Sequence, residues 1–267
     1  MDNSVYNYNK IILIEYMIAF CFLTYNDIIR YDIWNNFFKD IDKNEYIVFI
    51  HPKIKNICLN IINTYEFNYN IIKDTINTTS KTDISIVRAT IHLLKEAFLF
   101  KEDITHFVFL TQSCIPLYSF NITNSIIKNF PSSVLSVFNN NKVERYIDLT
   151  VHIKKILLKN NFRKQQPNMI LVRDDVSFFI NNDYTQYFRN MECPDEHYFI
   201  NLFIIFRKKF IKQQINFCNP ILERTQAIEF NYISKKMLEQ IKGAGFLFMR
   251  KIKKNTIFEE NILDIKF

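Results

Sequence analysis

Proton-transfer and charge-stabilising chemistry in this chain concentrates in a few places. Pro194-Asp195-Glu196-His197 sets two carboxylates and an imidazole side by side. A proline is tolerated in the first turn of a helix and acids suit its positive end, so this segment reads as a helix start built from groups that exchange protons. Arg250, Lys251, Lys253 and Lys254 follow the only two glycines, Gly243 and Gly245. A second basic cluster, Arg207, Lys208 and Lys209 with Lys212, reads as a solvated helix face.

Several chemistries are excluded. With two glycines in 267 residues, neither G-x-G-x-x-G nor G-x-x-x-x-G-K-[ST] can be written, which removes Rossmann oxidoreductases and P-loop NTPases. The five histidines make no H-E-x-x-H, and no G-x-S-x-G occurs, so zinc chemistry and a hydrolase elbow are unsupported. Cys21, Cys58, Cys114, Cys193 and Cys218 form no C-x-x-C pair and are odd in number. That usage predicts reduced thiols in a cytoplasmic or cytosol-like compartment. Asp40-Ile41-Asp42 has the Asp-x-Asp pattern of a metal-binding strand end but falls at a predicted helix end, where chance explains it. The triplets Asn77-Thr78-Thr79 and Asn121-Ile122-Thr123 are expected by chance in so asparagine-rich a chain.

The net charge of +7 and pI near 9.0 favour polyanions, whether nucleic acid, an anionic membrane surface or phosphorylated ligands. No nucleic-acid-binding signature accompanies the charge, so no nucleic acid is expected. Residues 11–23 are apolar, but Glu15 interrupts a run already too short to span a bilayer. A soluble protein is expected, its basic surface compatible with peripheral membrane contact.

The elements that must position these groups alternate. Met17 to Thr24 reads as a buried strand, Asp27 to Lys39 as a helix and Tyr46 to Ile50 as a strand. Asp83 opens a helix with the stripe Ile84, Val87, Ile91, Leu94 and Phe98, capped by Thr82 or Asp83. His106 to Leu110 reads as a strand, Asn121 to Phe130 as a helix and Val134 to Phe138 as a strand. Residues 139–167 show no clear strand period. Met169 to Val172 then leads into a helix from Asp174, Pro194 starts another, and Gln226 to Phe230 reads as a strand. The alternation predicts an α/β fold with a mostly parallel central sheet covered by helices. No Pro/Gly/Ser-rich linker divides residues 1–267, so one domain is expected.

Five phrases carry a resemblance, in order over nearly the whole chain. They are Ile18 to Thr24 with Trp34, Phe37-Phe38 and Tyr46 to His51; Asp83 to Leu94; Phe107 to Leu117; Cys193 to Tyr198; and Phe246 to Lys251. Together they resemble the core-2/I-branching β-1,6-N-acetylglucosaminyltransferases, in motif style closest to plant and bacterial members. The resemblance implies a GT-A-like nucleotide-sugar transferase fold, its donor-binding part about 15–140 and its acceptor and catalytic part about 141–267. It also implies an inverting enzyme that uses a UDP-sugar, GlcNAc first among candidates, a glycan or glycoprotein acceptor, and no metal or other cofactor.

The resemblance assigns roles residue by residue. Glu196 matches the glutamate that takes the acceptor proton, although a glutamate at a helix start is ordinarily a dipole partner. Lys251 matches the lysine that neutralises the departing diphosphate, Arg250 is placed to share that work, and Arg224 loosely matches a second phosphate cation. Gln112 and Ser113, in the carboxylate-free loop Thr111 to Cys114, are candidates to hydrogen-bond the donor. Asp83 and Arg88 are expected near the nucleoside. Arg163, Lys164 and Arg173 match a stretch whose centre is G-S-Q-W, but Gln165-Gln166-Pro167-Asn168 stands there instead. That departure leaves a catalytically inactive relative, binding a glycan or a partner protein, as the alternative; a basic nucleic-acid-binding protein, resting on the charge alone, stands behind it.

Overall fold

The computed structural model describes residues 16–54, 64–79, 83–138, 143–218 and 229–260. In chain order the first half runs β1 (Met17–Thr24), α1 (Tyr31–Phe38), β2 (Tyr46–Pro52), β3 (Tyr69–Ile71), α2 (Ser85–Phe100), β4 (Ile104–Thr111), β5 (Ile115–Pro116), α3 (Phe120–Lys128) and β6 (Val134–Val137). The second half runs α4 (Val151–Ile156), β7 (Gln165–Val172), α5 (Arg173–Asn181), α6 (Tyr198–Ile205), β8 (Ile211–Lys212), β9 (Asn216–Cys218), β10 (Phe230–Ile233), α7 (Lys235–Gly243), β11 (Phe248–Arg250) and β12 (Ile252–Phe258).

Seven strands form the main sheet in the order β3-β2-β1-β4-β7-β6-β8. The first four are mutually parallel, with Phe20 of β1 between Val48 of β2 and Val108 of β4. β7 enters antiparallel to both β4 and β6, while β6 and β8 are parallel. The sheet is therefore mixed and mostly parallel. Strands such as β1, MIAFCFLT, read as unbroken apolar runs because helices cover both faces.

Alternation along the strands sorts the core. Ala19, Cys21, Phe107 and Phe109 face one way, into a cluster with Val87, Leu94, Phe179 and Phe203. Phe20, Phe22, Val108 and Leu110 face the other, against Trp34, Phe37, Phe38 and Phe120. The Trp34 indole Nε1 donates to the Cys114 carbonyl at 3.0 Å, tying α1 to the loop after β4. A three-stranded sheet, β5-β11-β9, packs Met249 and Ile115 with Leu238 and Ile241 of α7.

Some bounds differ from the sequence expectation. The first helix starts at Tyr31 rather than Asp27 because the preceding chain is drawn to the loop after β4, where the Ile29 N–H bonds the Gln112 carbonyl at 3.0 Å. β7 begins four residues before Met169. The turn at Pro194 is a 3-10 turn through Glu196, separated by His197 from α6. The strand expected at Gln226 to Phe230 lies mostly outside the described residues, and β10 begins at its last position. Asp40-Ile41-Asp42 forms a turn in which Asp42 Oδ1 accepts from the Asn44 N–H at 2.9 Å. Among the described residues no helix is long and apolar enough to cross a membrane.

Candidate active site

The carboxyl ends of parallel strands are where open α/β sheets expose backbone and loops to a ligand. Here the ends of β1 and β4 and the residue after β2 line a cleft of about 580 Å³, of the size that takes a small molecule. Leu23, Thr24 and Tyr25 lie on one side, and Thr111, Gln112 and Ser113 on another. Lys53 and the run Arg250 to Lys254 complete a wall that is mostly cationic, with Asp27 and Glu229 as its acids.

The loop after β4 organises this wall. The Gln112 side-chain carbonyl accepts from the Tyr25 N–H, so Gln112 pins the chain leaving β1. The Ser113 carbonyl accepts from the Ile252 N–H at 3.0 Å, which fixes the strand beside Lys251. Arg250 is aimed from behind: its Nη1 donates to Asn168 Oδ1 at 2.9 Å. Asn168 is wholly buried, and its Nδ2 is held by the Phe109 carbonyl at 3.3 Å and by Cys114 Sγ at 3.5 Å. Among the described residues the buried Arg250 Nε has no hydrogen-bond partner. Among the described residues neither Arg250 nor Lys251 enters an ion pair. Lys253 pairs with Glu229 at 3.1 Å. Burial pushes the Asp27 carboxyl up, against its own backbone N–H and the charge of Lys254. The Tyr25 ring is exposed, with the Lys53 ammonium 5.4 Å from its centroid.

Glu196 sits in a different setting. Its Oε2 takes Lys164 Nζ at 2.9 Å and Arg145 Nη1 at 3.0 Å. Arg145 also reaches Glu192 at 3.5 Å and faces His197 Nε2 at 3.5 Å. His197 Nδ1 lies 3.0 Å from the Arg163 carbonyl, so that nitrogen carries the hydrogen and Nε2 is the acceptor. The ring stacks on Phe162 at 4.8 Å. Burial, the largest cause, pushes His197 down to about 4, and Arg145 and Lys164 add to it. The turn that aims these groups starts from Cys193, held in the left-handed region at φ 50, a conformation uncommon for a non-glycine residue.

Asp195 links the two settings. Its carboxyl is pushed up to about 6, first by burial and then by the neighbouring Glu196, while backbone N–H groups and Arg250 pull the other way. The turn therefore lies within reach of Arg250's charge, although Glu196 itself is not among the cleft-lining residues.

Of the residues singled out in the sequence, Gln112, Ser113, Arg250 and Lys251 come together in the cleft. Asp83 and Arg88 do not line it, although Thr78 and Ile86 beside them do. Asp83 accepts from Thr79 and from the Ser85 N–H, contacts that lower its carboxyl and start α2. Arg88 Nε donates to Thr185 Oγ1 at 3.4 Å. Arg224 lies outside the described residues. Sequence reasoning gave no role to Lys53, Arg145, Lys164 or Asn168. Lys53 had a signal, since it follows the carboxyl end of a legible strand. Among the described residues no cluster of three or more His, Cys, Asp and Glu is arranged to hold a metal ion.

The model of the Core-2/I-Branching enzyme family matches residues 18–225. A rice protein (Oryza sativa subsp. japonica), Glycosyltransferase BC10, is 25% identical over 170 residues, 62% of this chain and 41% of the rice protein. The match thus spans about two fifths of that relative's length. Among solved structures, the galactosyltransferase LgtC in complex with donor and acceptor sugar analogues has a TM-score of 0.45 at 10% identity and covers 75% of each chain. Apo mouse xyloside xylosyltransferase 1 has a TM-score of 0.44 at 8% identity over 88% of this chain and 96% of that one.

Proposed function

Because the chain belongs to the Core-2/I-Branching enzyme family, we propose that it is an inverting, metal-independent glycosyltransferase. It would move a sugar, with N-acetylglucosamine the first candidate, from a UDP-sugar to a hydroxyl of a glycan or glycoprotein acceptor. The observation that carries this reading is the cleft wall itself. Among the described residues Arg250 and Lys251 line the cleft with no ion pair of their own, and an acid acting on Arg250 is the raised carboxyl of Asp195. A wall of cations is suited to a ligand that brings acceptor oxygens and negative charge. A nucleoside diphosphate brings both.

In the reaction, Glu196 takes the proton from the acceptor hydroxyl as its oxygen attacks the anomeric carbon. The bond from that carbon to the diphosphate oxygen breaks, and its electron pair leaves on UDP. Lys251 and Arg250, with Arg224 as a further candidate, neutralise the charge that grows there, which is stabilisation of the transition state rather than of the bound donor alone. Arg145 and Lys164 converge on Oε2, and the second oxygen, which no described residue bonds, is the one that accepts the proton. No metal is assigned to the diphosphate, because the loop Thr111 to Cys114 offers no carboxylate to a divalent cation.

A panel of UDP-sugars, with UDP release and thermal shift recorded in excess EDTA, tests the reading. Stabilisation by UDP and chelator-resistant release from one donor are expected. Activity abolished by EDTA and restored by manganese overturns the metal-independent mechanism. Stabilisation by UDP with no turnover on any donor points to the binding-only relative that the changed segment at Gln165 to Asn168 leaves open.

A further inference from the structure

The segment from Val143 to Asn161, a 3-10 turn, α4 and a second 3-10 turn, presents a surface that the reaction does not use. Its inner side is firmly mounted. Leu149, Ile153, Leu157 and Phe162 are buried in the larger core cluster, and the Tyr146 hydroxyl donates to the Leu157 carbonyl at 2.8 Å. Its outer side is apolar: Ile147, Val151, Ile156 and Leu158 are 71%, 70%, 55% and 63% exposed. Seven large aliphatic side chains are exposed among the described residues, and four of them fall within these twelve positions. Isolated exposed apolar residues need no explanation, whereas such a concentration marks an interaction surface.

The charges beside it narrow the partner. Lys155 and Lys159 are exposed among the aliphatic residues. Lys154 holds its ammonium 5.9 Å from the Tyr146 ring centroid and donates to the Ile147 carbonyl at 2.6 Å. The acids of this segment are Glu144 and Asp148, both before α4, and Asp148 is partly buried. Protein-binding hot spots favour aromatic residues and arginine and are depleted in lysine. Aliphatic residues interleaved with lysines instead match the boundary of an anionic bilayer, where the first enter the acyl edge and the second meet the headgroups. A second copy of the chain would set lysines against lysines.

We propose that this segment docks the protein on an anionic lipid surface. The same segment carries Arg145, which holds Glu196. The docking stands on the surface alone and does not depend on the transferase reading.

Co-sedimentation of the full chain with phosphatidylcholine vesicles, with and without phosphatidylserine, tests it. Binding to the anionic vesicles, weakened by salt, is expected. Two surface variants, Val151→Ser/Ile156→Ser/Leu158→Ser and Lys155→Glu/Lys159→Glu, should each weaken it by at least about tenfold without lowering the melting temperature. Lys209→Glu/Lys236→Glu, the same change of charge elsewhere, should leave most of it. No binding to phosphatidylserine vesicles overturns the proposal, as does binding that both patch variants retain. Self-association that the patch variants abolish, with no vesicle binding, overturns it in favour of an interface between copies.

Discussion

Two groups of cations lie close together in this molecule and are arranged in opposite ways. Arg250 and Lys251 line a cleft and enter no ion pair among the described residues, whereas Arg145 and Lys164 close directly on Glu196. Charges left without counter-ions at a cleft wait for a ligand's charge, while charges already paired orient the group they hold. The first group is thus suited to an anionic donor and the second to holding one carboxylate in place. Asp195 is coupled to both, raised first by burial and then by Glu196, and lowered by Arg250.

The largest effect that separates the two groups is expected at the cleft. Lys251→Ala should weaken UDP binding and slow transfer by about 10²–10³, the range for losing one preorganised electrostatic contact. An unchanged UDP affinity in a folded Lys251→Ala protein removes the lysine from the donor site. Arg145→Ala should do the reverse, lowering turnover by about tenfold or more while UDP affinity stays near normal. Parallel losses of affinity in both variants would erase the distinction. Asn168→Leu sharpens it further, because it touches no ligand yet frees the guanidinium of Arg250. It should weaken UDP binding by about tenfold, the worth of one charged hydrogen bond, and do so only when Arg250 is present. The same loss in an Arg250→Ala background would show that Asn168 acts by another route.

A separate effect falls on stability rather than on rate or affinity, and it depends on pH. His197 drops from an ordinary value of 6.5 to about 4, so the unfolded chain binds the extra proton first. Its contribution is full above pH 6.5 and is lost as pH falls toward 4, about 3 kcal/mol in all. Asp195 rises from 3.8 to about 6, so its burial costs stability above pH 6, and that cost is relieved as pH falls toward 3.8. The two largely offset each other in the native chain. Asp195→Asn should therefore raise the melting temperature at pH 7 and make its fall between pH 6.5 and 4 steeper. A parallel melting curve for the variant across that range would contradict the opposed pair.

What could be read from the sequence follows the range of the forces involved. β1 spans Met17 to Thr24 as read, because a strand covered on both faces must be apolar throughout. The stripe of α2 was likewise plain, since Val87 and Leu94 share the buried face. Gln112, Ser113, Arg250 and Lys251 were legible through the resemblance, and they gather in one cleft. Arg145 was not, because the contact that matters joins it to a residue 51 positions away and no local period marks it. Asn168 was seen only as a departure from a familiar stretch, its role depending on β7 running beside β4 and on β11 bringing Arg250 back. Short strands such as β5, β9 and β11 carry too few residues for a pattern and exist through pairing with one another.

The central claim is that Glu196 is the base of a sugar transfer whose donor lies in the cationic cleft. Glu196→Gln tests it most directly, since glutamine keeps the shape and some of the hydrogen bonding to Arg145 and Lys164 but cannot take the acceptor's proton. Melting temperature, UDP affinity and turnover measured on one preparation should give a folded protein, near-normal UDP affinity and a loss of roughly 10²–10⁴-fold in rate. A stable variant that keeps more than about a tenth of the turnover, outside the range for a lost general base, would contradict the account and shift attention to Asp195.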